Sequence, residues 1–431
     1  MQDWEPLVPA VAQVWPRTAE FLHDPEFERF ETQVLIALRG LDAARQSGGE
    51  HGSPEAVHAA ALNVVAAFEE HDPLGALLAS EFADLVGRPE RFGPEDPPPD
   101  WIPWQRALLI PVLYATDRAA VTKPSGETGF GAESGDLSYG ELRVSVPDEH
   151  QMGAAEKPRW WRLGWRPDPA KTVVPGVPTL LPAEEFAQLT RTRLADGADK
   201  ALIFVHGYNV PFADAAVRAA QIAYDLNFTG VTLLYSWPSQ GTLSGYAADG
   251  NAAARAVPAF REFLRHLLTR TGADEVHLIA HSMGNRLLLD ALADFDTAAL
   301  GPDSGSLGQV FFAAPDVDAE VFRQRLPRIV PQTRGCTLYA SRADRALAAS
   351  ASLARNPRAG QCGEEIIVAP GLDTIDVSAL GTGLLGHSYV GDHRSILGDI
   401  HALLRHGLPV SQRFGLVPAV HPDGRYWIFR P

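Results

Sequence analysis

From residue 200 onward short apolar runs alternate with helix-period segments, and this alternation constrains the fold more than any other feature. The runs at residues 201–205, 231–235, 276–280, 309–313, 336–340 and 365–368 are nearly continuous in aliphatic and aromatic side chains. A strand with one face in water alternates polar and apolar residues, so an unbroken apolar run marks a strand covered on both faces. Most runs are followed by stretches with apolar residues three and four apart, such as 213–226 and 252–269, the period of an amphipathic helix. Repeated strand-helix-strand units predict a doubly wound, mostly parallel sheet of the α/β class.

Upstream, runs at 108–114 and 141–146 read as the opening strands of the same sheet, separated by a Gly/Ser-rich loop. Residues 1–90 have a different character. Helix-period segments at 27–45, 54–70 and 73–86 carry stripes such as Val57, Ala60, Ala61, Val64, Val65 and Phe68, which predict a small helical domain. Residues 91–104, with Pro97-Pro98-Pro99 at their centre, lack amide hydrogens where a helix needs them and read as a linker. The α/β domain is thus expected over 105–410, with a C-terminal tail at 411–431 packing on it.

Charge narrows the partners. With 37 Lys+Arg against 53 Asp+Glu, the net charge is −16, which repels phosphate backbones, so no nucleic-acid partner is expected. No window reaches the roughly 18 to 20 apolar residues of a membrane span, so no stable membrane insertion is expected. The first residues have neither a basic nor an apolar region of a secretory leader, and a cytoplasmic location is the expectation. Cys336 and Cys362 are too few for a disulfide framework and lack zinc-site spacing. Residues 381–386 match G-x-G-x-x-G but do not open a helix in a strand-helix-strand unit, and no Walker A, H-E-x-x-H or calcium-loop pattern occurs. Neither a cofactor nor a metal is expected.

The chemistry-bearing signal is Ala280-His281-Ser282-Met283-Gly284, set between an apolar strand and an apolar-periodic helix. A serine on such a sharp turn needs small residues two before and two after it, here Ala280 and Gly284. The turn aims the amide of Met283 at the oxyanion of acyl transfer. The strand at 201–205 runs into His206-Gly207-Tyr208-Asn209, and the backbone of Tyr208 is expected as the second oxyanion donor, with His206 bracing the loop. Serine needs a base, and the base an orienting acid, in the chain order Ser, Asp or Glu, His. Asp344, in the loop past the run at 336–340, is the favoured acid, with Asp316 the rival. His387, in a glycine-rich loop, is the favoured base, with His393 the rival. Trp237, Tyr246 and Leu384 are candidate pocket residues, although the aromatic loop after Tyr235 would serve equally as packing.

Tyr114-Ala115-Thr116-Asp117-Arg118, Tyr139-Gly140, His206-Gly207-Tyr208-Asn209, Tyr235-Ser236-Trp237-Pro238-Ser239, residues 280–285, Ala314-Pro315-Asp316-Val317-Asp318, Tyr339-Ala340-Ser341 with Asp344, and Gly386-His387-Ser388-Tyr389 occur in this order. In these stretches residues 108–404 resemble the bacterial esterase/lipase-like alpha/beta hydrolases grouped as an uncharacterised domain family, domain of unknown function 900. The resemblance implies the hydrolase fold and the triad Ser282, Asp344 and His387, and names no substrate. The resulting expectation is a serine hydrolase acting on a small acyl ester, thioester or lipid. The alternatives are a partner-regulated lipase or phospholipase, and a non-catalytic scaffold whose helical N-terminal domain binds a protein partner.

Overall fold

The computed structural model describes residues 107–122, 128–147, 150, 152–153, 172–195, 200–240, 246–354, 356–363, 365–380 and 394–430. The predicted N-terminal helical domain and the linker lie outside the described residues, as do His387, His393 and Leu384. No helix of the described residues is long and apolar enough to cross a membrane.

Two long antiparallel strands come first, β1 (Ala107–Thr122) and β2 (Thr128–Pro147). Short β3 (Val174–Pro175) and β4 (Thr179–Leu181) pair with β2, and α1 (Ala183–Ala195) leads to β5 (Lys200–Val205). The alternation then runs α2 (Phe212–Asp225), β6 (Val231–Ser236), α3 (Tyr246–Arg270), β7 (Glu275–His281) and α4 (Gly284–Ala293). It continues through β8 (Ser306–Ala313), α5 (Ala319–Ile329), β9 (Thr333–Ala340), α6 (Arg345–Ala354), β10 (Leu372–Asp376) and α7 (Arg394–His406). The hairpin β11 (Leu416–His421) and β12 (Gly424–Phe429) ends it. All lie in one sheet of order β11-β12-β10-β9-β8-β7-β5-β6-β1-β2-β3, with β4 beside β2. Every neighbour pair from β12 to β1 is parallel, and antiparallel pairing is confined to the two flanks.

The continuous apolar runs follow from helices on both faces. Along β5, Ile203 and Val205 enter one core cluster while Leu202 and Phe204 enter the other, so no position is left for a polar residue. One cluster receives Phe260, Phe263, Leu264 and Leu267 of α3, at helix spacing. The other receives Phe212, Ala215, Ala216 and Ala219 of α2 and Ile396, Leu397 and Ile400 of α7. Each large aliphatic side chain so buried contributes about 1.5–3 kcal/mol.

Two expectations are corrected. Residues 365–368 form no strand, although Ile366 and Ile367 are buried; the place beside β9 belongs to β10. In β10 Asp373, Thr374 and Asp376 interrupt the apolar Leu372 and Ile375, and Thr374 Oγ1 donates back to the Ile367 carbonyl at 2.5 Å. The Gly/Ser-rich stretch expected as a loop is largely strand. Residues 129–138 continue β2 against β1, with register shifts on both sides of Arg118.

From β5 the chain crosses to β6 on one side and returns to β7 on the other. Ligands of open α/β sheets bind beyond the carboxyl ends of strands at such a reversal. The loops leaving β5 and β7 are those of His206-Gly207-Tyr208 and Ser282.

Candidate active site

Between β7 and α4 the chain reverses within a few residues, and Ser282 takes φ = 52° to do so. A left-handed non-glycine residue is held only where its surroundings over-determine it. Here they do. Ser282 N donates to the Ala313 carbonyl at 3.0 Å, and its own carbonyl accepts from the amides of Asn285 at 3.1 Å and Asp316 at 3.2 Å. Asn285, fully buried, sets Nδ2 3.1 Å from the carbonyls of Ala280, Ser282 and Ala313. The small residue two past the serine is demanded by contact: a Cβ on Gly284 would stand 2.3 Å from the His206 carbonyl oxygen.

The same packing brings the β5 loop onto the serine. A Cβ on Gly207 would lie 2.9 Å from Ser282 Cβ and 3.0 Å from His281 Nδ1. The Gly207-Tyr208 segment therefore abuts the Ser282 side chain. Tyr208 is half-buried, and its ring packs edge-on against Tyr246 with centroids 5.5 Å apart.

His206 is buried, with Nδ1 2.8 Å from the Gly207 carbonyl and Nε2 3.1 Å from Ser236 Oγ and 3.4 Å from Arg118 Nη2. Nδ1 therefore carries the proton and Nε2 accepts. Burial and the Arg118 charge push its pKa down to about 3, leaving a neutral brace and a poor base. Trp237, a candidate for pocket lining or for packing, lies against His206. It is fully buried, stacks on the His206 ring at 5.0 Å and donates its indole N–H to the His206 carbonyl at 2.8 Å.

Asp344 lies 2% exposed in the loop between β9 and α6, where Oδ1 accepts the Leu347 amide at 3.0 Å and caps the helix. Its rival Asp316 is engaged on both oxygens. Tyr246 Oη donates to Oδ2 and Ser350 Oγ to Oδ1, each at 2.6 Å, while Arg286 Nη2 stands 3.1 Å and Arg358 Nε 3.3 Å away. Tyr246, expected at the pocket, thus joins Tyr208 to this cluster through its ring and hydroxyl.

Sequence reading gave no role to three buried polar groups around the β5 loop: Arg118, Ser239 and Asp249. Asp249 Oδ2 accepts Ser239 Oγ at 2.6 Å and the Asn209 amide at 3.2 Å, and Oδ1 accepts the Gln240 amide at 2.6 Å. Arg118 lies in a stretch that the resemblance singled out, and only its burial reveals its use.

The family model described as alpha/beta hydrolase of unknown function (DUF900) matches residues 183–406. An uncharacterized protein of Nostoc sp. (strain PCC 7120) is 26% identical over 160 residues, which cover 31% of this chain and 41% of that protein's length.

Proposed function

This chain belongs to the family of alpha/beta hydrolases of unknown function (DUF900), and on that footing we propose that it is a serine hydrolase cleaving a carboxylic ester or thioester through an acyl-enzyme on Ser282. The carrying observation is Ser282 itself, left-handed at φ = 52° between strand and helix and abutted by Gly207. In this reading His387, favoured by its glycine-rich loop and by the family resemblance, takes the proton from Ser282 Oγ as oxygen attacks the acyl carbon. Asp344 stabilises the resulting imidazolium; the full engagement of Asp316 with two arginines supports Asp344 over it. The amides of Tyr208 and Met283 receive the oxyanion, and the proton then passes to the leaving alkoxide or thiolate. Water attacks the acyl-enzyme by the same route, releasing the carboxylic acid and restoring Ser282.

The test is covalent labelling by a fluorophosphonate, which needs an activated serine and no knowledge of the substrate. Wild type should label and Ser282→Ala should not, and hydrolysis of p-nitrophenyl acyl esters should fall in parallel by about a millionfold, to background. A folded wild type that resists the probe, or equal ester hydrolysis by Ser282→Ala, would overturn the serine mechanism.

A further inference from the structure

Arg118 comes from β1, three strands from the nucleophile, yet its guanidinium ends beneath the turn that carries Tyr208. It is 2% exposed. Register shifts between Thr116 and Arg118 and between Arg118 and Ala120 interrupt the β1–β2 ladder on both sides of it, the kind of irregularity that redirects a side chain. Nε donates to Ser236 Oγ at 2.9 Å; Nη1 donates to the carbonyls of Gly131 at 2.9 Å and Ser239 at 3.1 Å. Nη2 donates to the Val210 carbonyl at 2.7 Å and lies 3.4 Å from His206 Nε2. One rigid fork thus joins β2, the loop after β6 and both ends of the turn after β5.

The peptide groups around Tyr208 are fastened from both sides. Gly207 O faces His206 Nδ1, the Asn209 amide donates to Asp249, and the Val210 amide donates to Ser239 Oγ at 3.1 Å. Arg118 holds the Val210 carbonyl and stands against His206 as well. Burying a guanidinium is costly unless its donors are satisfied, and here all three nitrogens donate. Arg118 still carries its proton at neutral pH, although burial lowers its pKa to about 10.

We infer that Arg118 is a positioning residue, whose fork fixes the orientation of the Tyr208 amide toward the oxyanion; the inference rests on the serine-hydrolase reading above. Buried as it is, Arg118 touches no substrate and acts only through the turn. A displaced oxyanion donor weakens the transition state more than the ground state, so the loss belongs in kcat. Lysine, a single nitrogen on a flexible stem, cannot span these acceptors.

The experiment compares wild type, Ser282→Ala, Arg118→Lys, Arg118→Met and Arg118→Ala in the full chain, by fluorophosphonate labelling rate, p-nitrophenyl ester kinetics and thermal melting. In the folded Arg118 variants the labelling rate and kcat should fall about tenfold or more, with KM nearly unchanged. Added guanidinium should raise the labelling rate of Arg118→Ala saturably and leave wild type unaffected, which a loss of general stability would not produce. Arg118→Lys, which keeps the charge, serves if the larger truncations do not fold. Labelling of folded Arg118→Lys within twofold of wild type, a rise in KM at constant kcat, or no response to guanidinium would overturn the inference while leaving Ser282 as nucleophile. Labelling that is absent from wild type, or retained in Ser282→Ala, would strike the serine reading and this inference together.

Discussion

At the residue scale, Asp316 and Asp344 are buried on neighbouring loops, and their partners separate their roles. On the proposed serine mechanism, Asp344→Asn should lower kcat by about 10³–10⁴-fold with little change in melting temperature, because an amide would fail to hold the imidazolium. Asp316→Asn should instead cost on the order of 2 kcal/mol of stability, measurable by urea denaturation, since Arg286 and Arg358 lose a charged acceptor. His206 and Asp117 oppose one another in acid. Between about pH 3 and 6.5 unfolded His206 binds a proton that the folded form refuses, so acidification destabilises by about 1.4 kcal/mol per pH unit over that window. Burial raises Asp117 from 3.8 to about 6, so between these values the folded form binds the extra proton and acidification stabilises. Over pH 4–6 the two slopes offset. His206→Gln should therefore melt at a relatively higher temperature on acidification than wild type across that interval, and Asp117→Asn at a relatively lower one; parallel curves for all three would refute both assignments.

At the scale of elements, β7 joins the turn at Ser282 to the core, with Leu278 in one cluster and Ile279 in the other. Leu278→Ala should cost about 2–5 kcal/mol through the cavity it leaves, while labelling of the folded fraction by fluorophosphonate stays intact. The strands β5 to β9 were legible because two-sided burial writes an unbroken apolar run. The far half of β1–β2 was not, since glycines and serines that permit strand bulging have the composition of a loop. β10 was hidden for another reason: two aspartates and a threonine break its run, and the more apolar residues 365–368 beside it do not pair. The turn at Ser282 could be read to the residue, as its neighbours must be small whatever the sheet around it. Arg118 and Asp249 could not be assigned roles, because a charged residue in a strand or helix looks the same in sequence whether it meets water or a buried carbonyl.

Across the whole molecule, the parallel strands sit between two antiparallel hairpins, and the C-terminal hairpin belongs to the core through Trp427 and Phe429. Its approach is fixed by Arg413, which is buried against Asp399 of α7 and bonded to Asp373 of β10, each at 2.9 Å. A chain ending at Gly415 should lose cooperative melting and precipitate, since it bares the edge of β10. This arrangement also sets a timetable for biosynthesis. β1 leaves the ribosome before β5 and β6, yet its parallel neighbour is β6, and β12, which covers β10, follows every other strand of the described sheet. The sheet is therefore completed only once the chain has been synthesised through Phe429, and a nascent chain stalled or truncated before that point presents an unfinished parallel edge to whatever surrounds it.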